Sequence, residues 1–247
     1  MAIKTLYSCG CSFMSIDTLD HGITSFLNLY NKQKQFNHVS LARSGATNFL
    51  IRLQIEEAIK QNADFIVIGA TSSDRMEVPI PSRSNEISYP VTIKDIEYRG
   101  YRSASVSNVD TQHPKIISDS INNWTSDNYK NVPHDNFRRK EITPEVITAM
   151  KHHVTYLHND QLDQMKNYFI LAEGLRKLIS LGKEFVFLAG PMKGCDWKFV
   201  GHRGWSGLEP WDLPYGLHPA EISHNTQTAH DEFARVFLEM TPTWTNE

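Results

Sequence analysis

The sequence predicts a three-layer α/β sandwich with a mostly parallel sheet. From Ile3 to Ala70, short apolar segments alternate with segments whose apolar residues recur at helical spacing, in the order strand, helix, strand, helix, strand. The third strand is predicted from Asp64 to Ala70, and after Asp64 its apolar run is continuous rather than alternating. A continuous apolar run is typical of a parallel strand that is covered on both faces. A second run of this kind, Glu184 to Ala189, follows a long amphipathic segment.

The first two strands are shorter than the third. Ile3 to Cys9 is mixed apolar and β-prone and stops at Gly10, and Asn37 to Leu41 is the second candidate. Helical spacing predicts a helix between these strands, through Ile23, Phe26, Leu27 and Tyr30. It predicts another before the third strand, through Leu50, Leu53, Ala58 and Ile59.

The pattern breaks from about residue 75 to residue 144. This stretch is polar and rich in proline, has no strong periodicity and still carries several aromatic residues. We expect a long insertion after the third strand, within a single domain spanning residues 1–247, that covers or edges the site and holds a few short strands.

Regular structure is predicted again in the last third of the chain. One or two helices are predicted here, with an apolar stripe that ends before Gly182 and consists of Leu162, Met165, Phe169, Ala172, Leu175 and Ile179. A loop rich in tryptophan and glycine, Pro191 to Leu217, follows the strand Glu184 to Ala189. The final helix is predicted at about Pro219 to Glu239.

Composition indicates which classes of binding partner and which cellular compartment to expect. The formal net charge is -3, so no general attraction to nucleic acid or to an anionic membrane is implied. The start of the chain lacks the apolar core of a signal peptide, and no apolar run reaches the roughly 20 residues of a membrane span. Three cysteines, an odd number, favour a reducing, cytoplasmic setting, with Cys9 and Cys195 as small buried hydrophobic residues.

A serine follows the first strand, in the segment Gly10-Cys11-Ser12-Phe13. A tight strand-to-helix turn at the carboxyl edge of the sheet exposes such a hydroxyl, and the backbone amides that follow can receive a developing oxyanion. Three alternatives stay open: a capping serine in a plain turn, Cys11 as the nucleophile, and an anion-binding turn over Ser8 to Ser12 that holds a phosphate group.

Two further segments follow the second and third strands. Gly45 lies in a turn of small residues, Ala42 to Asn48, where a helix-entry glycine is the simpler interpretation. Thr71, Ser72, Ser73 and Asp74 follow the third strand directly, and the hydroxyls of the first three can donate hydrogen bonds.

A histidine precedes the predicted final helix, in the segment His218-Pro219-Ala-Glu-Ile-Ser-His224. Proline is favoured at the first position of a helix, so His218 is expected just before the helix start. From there its ring can point across the sheet edge towards Ser12. Upstream of His218 the nearest acid is Asp212.

These four segments, in this order, resemble those of the SGNH (GDSL-like) hydrolases. The resemblance covers roughly residues 1–75 and 160–240 and implies a flavodoxin-like sheet, with Ser12 as nucleophile and His218 as base. It also implies that the amide of Gly45 donates to the oxyanion. The asparagine that completes the family's oxyanion hole falls on Ser73 here, and the family's aspartate three residues before the histidine falls on Tyr215. Ser72, Ser73 or Thr71 is then the substitute donor. Asp212, or Glu209 behind it, is the candidate third member of a triad; otherwise Ser12 and His218 act as a dyad with a backbone carbonyl as the orienting group.

The resemblance implies transfer of an acyl group from a small ester to water, for example from an O-acetylated sugar, with no metal or organic cofactor. The expected partner is a small-molecule or glycan ester, with neither nucleic acid nor membrane involved, and a viral origin is left open. Two other functions remain: a catalytically weakened SGNH-like module that binds or has a structural role, and a flavodoxin-like module that binds a phosphate-bearing ligand.

Two clusters outside these motifs have simpler interpretations. His152, His153 and His158 with Asp160 suggest a metal site, but the five-residue step from His153 to His158 does not align two rings on a helix, which favours a solvated helix end. Three tryptophans form either a platform for an acyl or sugar group or the core of an irregular loop: Trp197, Trp205 and Trp211.

Overall fold

The computed structural model describes residues 3–11, 14, 26–42, 46–73, 75–79, 88–93, 96–99, 101–105, 148–149, 152–153, 156–203 and 227–245. In chain order, its strands are β1 (Thr5–Cys9), β2 (Asn37–Ser40), β3 (Phe65–Gly69), β4 (Arg75–Pro79), β5 (Ser88–Ile93), β6 (Ile96–Arg99), β7 (Tyr101–Ser105) and β8 (Glu184–Leu188). Its longer helices are α1 (Phe26–Lys34), α2 (Asn48–Lys60), α3 (Asp160–Ser180) and α4 (Gln227–Met240).

Four of the strands form one parallel sheet in the order β2-β1-β3-β8. This confirms the predicted α/β class and the parallel sheet. The predicted segments contain the four observed strands, and each exceeds its strand by no more than two residues at either end. The agreement has a simple cause, because β3 and most of β1 and β8 are buried and their sequences are correspondingly apolar.

The helices cover both faces of this sheet. The side chains of α1 and α4 pack on one face, around Phe26, Phe233 and Phe237, together with Leu6 and Val67 of the sheet. The side chains of α2 and α3 pack on the other face with Tyr7, Ile66 and Phe187 as the sheet's contribution. Right-handed crossovers require this arrangement. The chain moves across the sheet in one direction from β1 to β2 and in the opposite direction from β2 to β3 and on to β8, so the connecting helices lie on opposite faces.

Helix α3 differs from its prediction along its first half. Leu171, Leu175 and Leu178 face the sheet and are buried, whereas Leu162, Met165 and Phe169 are largely exposed. Of the predicted stripe, Ala172 and Leu175 are buried and Ile179 is half-buried, so the second half of the stripe is confirmed and the first half is not. The predicted end is confirmed, because α3 stops at Ser180 and Gly182 follows with a positive φ of 65° that favours glycine.

The chain divides into two compact units. One contains residues 1–73 and 166–247, and with them the parallel sheet. The other contains residues 74–165 and includes two antiparallel pairs, β4 with β7 and β5 with β6. Short strands thus occur in the stretch where a few were expected, while its status as an insertion in a single domain stays a prediction.

After β8 the described residues form two short helical turns and one long helix. Short 3-10 turns, Gly190–Met192 and Lys198–Arg203, follow β8. The final helix ends at Met240, one residue beyond the prediction, and its predicted start at Pro219 lies outside the described residues. None of the helices in the described part of the chain has the length and apolar character that crossing a membrane requires.

Candidate active site

The carboxyl ends of β1 and β3 are neighbours at the point where the chain changes direction across the sheet. After β1 the chain crosses to β2 on one side, whereas after β3 it crosses to β8 on the other. Open α/β sheets bind ligands in the crevice that this divergence leaves at the carboxyl edge. The segments that follow β1, β2 and β3 therefore define the candidate site.

Gly10 follows β1 at a position that has no room for a side chain. A Cβ atom there would lie 2.7 Å from Met14 Cβ and 3.1 Å from the carbonyl oxygen of Gly69. Met14 closes a tight turn, since its N–H donates to the carbonyl of Cys11 at 3.0 Å. Glycine thus lets the backbone after β1 approach the end of β3. The predicted nucleophile Ser12 comes next after Cys11 and lies outside the described residues.

A buried side-chain amide holds the backbone of Gly10. The Gly10 N–H donates to Gln54 Oε1 at 2.6 Å, and Gln54 Nε2 donates to the Gly10 carbonyl at 3.3 Å. The pairing of β1 with β3 ends at Cys9, so the polar groups of Gly10 lie just beyond the ladder. Buried backbone groups need partners, and Gln54 of α2 supplies them where no strand does.

The loop after β3 is held in the same way by Asn48, the first residue of α2. Asn48 Nδ2 donates to the carbonyl of Thr71, and the Thr71 N–H donates to Asn48 Oδ1, both at 2.9 Å. Two residues further on, Asn167 Nδ2 of α3 donates to the carbonyl of Ser73 at 3.4 Å. The loop is thus tied to both helices on this face of the sheet.

The hydroxyls predicted as oxyanion donors differ in accessibility. Thr71 is buried and its N–H is bonded to Asn48, whereas Ser72 and Ser73 are half-buried. A ligand at this edge can therefore reach the two serines more readily than the threonine. Asp74 lies outside the described residues.

The segment between β2 and α2 leads into a capped helix. Ala42 and Ala46 are buried at its two ends, and residues 43–45, including the predicted oxyanion donor Gly45, lie outside the described part. Thr47 caps α2, because its Oγ1 accepts a hydrogen bond from the Leu50 N–H at 3.1 Å. The cap fixes where α2 begins, and therefore where Asn48 lies.

A polar cluster joins the edge strand β2 to β1. His38 Nε2 lies 3.1 Å from Ser8 Oγ, and Ser8 Oγ donates to Ser40 Oγ at 3.3 Å. Burial lowers the pKa of His38 to about 4, so the ring is neutral near pH 7. Ser8 itself is fully buried, which makes this serine–histidine pair a link between strands rather than a site that a substrate can enter.

The remaining predicted residues of the proposed triad, His218 and Asp212, lie outside the described residues, as do Trp205 and Trp211. The structure describes Trp197 as part of the packed loop after β8. Its ring meets Phe187 and Tyr168 with centroid distances of 4.7 and 4.9 Å, and its Nε1 donates to the carbonyl of Met192 at 2.9 Å. For this tryptophan the loop-core interpretation fits better than a ligand platform.

All three cysteines carry free thiols. Cys9 and Cys11 are fully buried in the same apolar cluster, and Cys195 is half-buried against it. Burial raises the pKa of the Cys9 thiol. Burial of Cys11 disfavours it as the nucleophile, because a substrate has no access to its sulfur.

The histidines near the start of α3 do not form a metal site in the described part. His158 lies between two carboxylates, with Nε2 2.6 Å from Asp160 Oδ1 and Nδ1 2.7 Å from Asp163 Oδ2. His152 and His153 are exposed. Among the residues that the structure describes, no three histidine, cysteine or acidic side chains come together as metal ligands would.

Sequence reasoning missed the two amides of α2, although a signal was present. Asn48 and Gln54 fall on the same helical stripe as Ile51, Ile55 and Ala58, which is the stripe that packs on the sheet. A polar residue on an otherwise apolar stripe needs a buried partner. At the carboxyl edge of a sheet the available partners are the backbone groups of the loops.

Comparison of the sequence with models of known protein families finds no match, and comparison with curated proteins finds none either.

Proposed function

We propose that this chain is an SGNH-like serine hydrolase that cleaves a small acyl ester. The observation that carries the proposal is the strand order, which makes β1 and β3 neighbours and brings the backbone of Gly10 against the end of β3. Ser12 comes two residues after Gly10, and Ser72 and Ser73 follow β3. The order β2-β1-β3-β8 is also compatible with the flavodoxin-like sheet of that family.

In the proposed reaction, Ser12 Oγ attacks the ester carbonyl while His218 takes its proton. The tetrahedral oxyanion receives hydrogen bonds from the backbone amides of Ser12 and Gly45 and from the hydroxyl of Ser73 or Ser72. His218 then protonates the leaving alcohol. In the second half of the reaction His218 takes a proton from water, the water attacks the acyl group on Ser12, and Ser12 regains its proton from His218 as the acid is released. Asp212 is the proposed orienting group for the His218 ring.

One contact argues against a phosphate-binding turn over Ser8 to Ser12. The N–H of Gly10, in the middle of that turn, already donates to Gln54 Oε1 at 2.6 Å. An anion on this turn would need that amide, and breaking the bond would leave a buried amide oxygen without its donor. The contact therefore favours the hydrolase over the phosphate binder.

Labelling with a fluorophosphonate probe tests the proposal. We expect a covalent adduct on Ser12, no adduct on that peptide in Ser12→Ala, and labelling at least tenfold slower in His218→Ala, since an unactivated hydroxyl is a weak nucleophile. Ser180→Ala and His153→Ala are matched controls, because both residues are exposed on α3 or just before it, and both should label like the wild type.

Turnover of p-nitrophenyl acetate, measured beside the labelling, separates the remaining alternatives. A folded wild-type chain that neither labels nor turns over the ester contradicts the proposal and leaves the weakened binding or structural module. Labelling that survives Ser12→Ala would assign the nucleophile to another residue.

A further inference from the structure

Helix α2 presents two fully buried amides to the loops at the carboxyl edge of the sheet. Gln54 binds both backbone polar groups of Gly10, and Asn48 binds both backbone polar groups of Thr71. Both side chains have no exposed surface. Two side chains of one helix thus each take the place of a strand partner, one beyond the end of β1 and the other beyond the end of β3.

Other buried polar residues of α2 have different partners. Arg52 binds Glu56 and Glu173, and Glu57 accepts a hydrogen bond from Gln61. These contacts join helix to helix or stay within α2. Only Asn48 and Gln54, among the described polar residues of this helix, hold the loops that flank the crevice between β1 and β3.

The geometry points to a role for these amides in the proposed reaction. We propose that Gln54 and Asn48 are positioning residues: Gln54 fixes the turn from Gly10 that leads to Ser12, and Asn48 fixes the loop that carries Ser72 and Ser73. Because both amides belong to α2, the nucleophile's turn and the donor loop are held against one rigid element. The inference rests on the proposed function, since it concerns the same site.

A positioning role affects the chemical step more than binding. Displacement of a reacting group by about 1 Å can lower a rate by about a hundredfold. Gln54→Met and Asn48→Leu keep approximate size and remove both hydrogen bonds. For each, we expect the labelling rate of Ser12 and the kcat for p-nitrophenyl acetate to fall about 10- to 100-fold. KM should stay within about threefold, because no substrate contact is removed.

The acidic variants add a readout that a purely structural role does not share. A neutral carboxylic acid can accept through its carbonyl oxygen and donate through its hydroxyl, as an amide accepts through oxygen and donates through nitrogen, whereas a carboxylate only accepts. In Gln54→Glu and Asn48→Asp the activity, expressed relative to wild type at the same pH, should therefore rise as the pH falls and the new acid becomes neutral. Gln54→Met should show no such recovery.

Ile51→Val is the matched control, because Ile51 is buried on the same helix and bonds to neither loop. All variants are assayed well below their unfolding temperatures, so that each is fully folded. If the wild type is active and Gln54→Met and Asn48→Leu keep the kcat of Ile51→Val, the proposed positioning role is wrong, whereas the proposed hydrolase activity is unaffected. If the wild type neither labels at Ser12 nor turns over the ester, the hydrolase is wrong and the positioning role falls with it.

Discussion

At the scale of single residues, protonation of His38 conflicts with folding. It lies beside the hydroxyl of Ser8, and burial lowers its pKa from 6.5 to about 4. Between these two pH values the unfolded chain binds a proton that the folded chain does not. Stability from this group is therefore complete above about pH 6.5, and it is lost as the pH falls towards 4.

Replacing His38 should flatten the pH dependence of stability in that window. The pKa difference corresponds to at most about 3 kcal/mol. We expect urea unfolding of the wild type to show a loss of about 1–3 kcal/mol between pH 7 and pH 4.5 that His38→Asn lacks. His152→Asn, which changes an exposed histidine, should keep the wild-type dependence. Equal pH dependence in wild type and His38→Asn would contradict the assignment.

At the same residue scale, the sequence identified apolar positions better than buried polar ones. Phe185, Phe187 and Ile66 could be placed in the core from hydrophobicity alone, because removing an apolar side chain from water is favourable whatever its neighbours are. Asn48 and Gln54 are buried because each binds the backbone of a loop that is distant in sequence. Gln54 binds Gly10, and Asn48 binds Thr71. Periodicity shows that a polar residue lies on an otherwise apolar stripe, but it does not show which group that residue binds.

At the scale of elements, α2 and α3 are joined by a charge network as well as by apolar packing. Glu56 binds Arg52 at 2.5 Å and Lys177 at 2.7 Å, and Arg52 also pairs with Glu173. Gly174 allows this approach, since a Cβ there would lie 2.7 Å from Arg52 Cδ. Burial alone would raise the pKa of Glu56, but the hydrogen bonds from Lys177 and Arg52 outweigh it and keep that pKa below its usual value.

Breaking this network at Glu56 should weaken the contact between the two helices. Glu56→Gln leaves the buried guanidinium of Arg52 with one carboxylate fewer, and we expect a loss of about 1–3 kcal/mol in the free energy of unfolding. Glu239→Gln is the matched control: its partner Arg235 lies on the exposed surface of α4, where ion pairs contribute little. Equal effects of the two substitutions in urea unfolding would show that the network does not brace α2 against α3.

The elements themselves were predictable where one physical signal dominated. Runs such as Phe65–Gly69 indicate strands because a short continuous apolar run is typical of a parallel strand that is covered on both faces. The end of helix α3 was predictable, but its buried face was predictable only in the second half, because Leu162 and Phe169 belong to a helical period without being buried. For the site, the sequence predicted the sheet edge and its loops, and the roles of Ser12, Gly45, Asp212 and His218 stay predictions.

At the scale of the whole molecule, the unit with the parallel sheet is built from two separate stretches of chain. Residues 1–73 carry β1 to β3, and residues 166–247 carry β8, most of α3 and all of α4. The two stretches meet near the end of the first and the start of the second, since Asn167 Nδ2 lies 3.4 Å from the carbonyl oxygen of Ser73. A short connection can therefore join them without straining the sheet.

Replacing residues 74–165 with a Gly-Ser linker of about six residues should leave the parallel sheet folded, because connections of this length are ordinary between elements that end close together. Among the described residues, both core clusters of this unit are built from residues 1–73 and 166–247: α1 and α4 cover one face of the sheet, and α2 with the buried half of α3 covers the other. We expect cooperative thermal unfolding and a circular dichroism spectrum of mixed helix and strand. The same deletion carrying Phe187→Asp, which places a charge in the core, should lose both signals. If the linker chain without that substitution already lacks cooperative unfolding, the sheet depends on residues 74–165 for its stability, and the two units are not independent in folding.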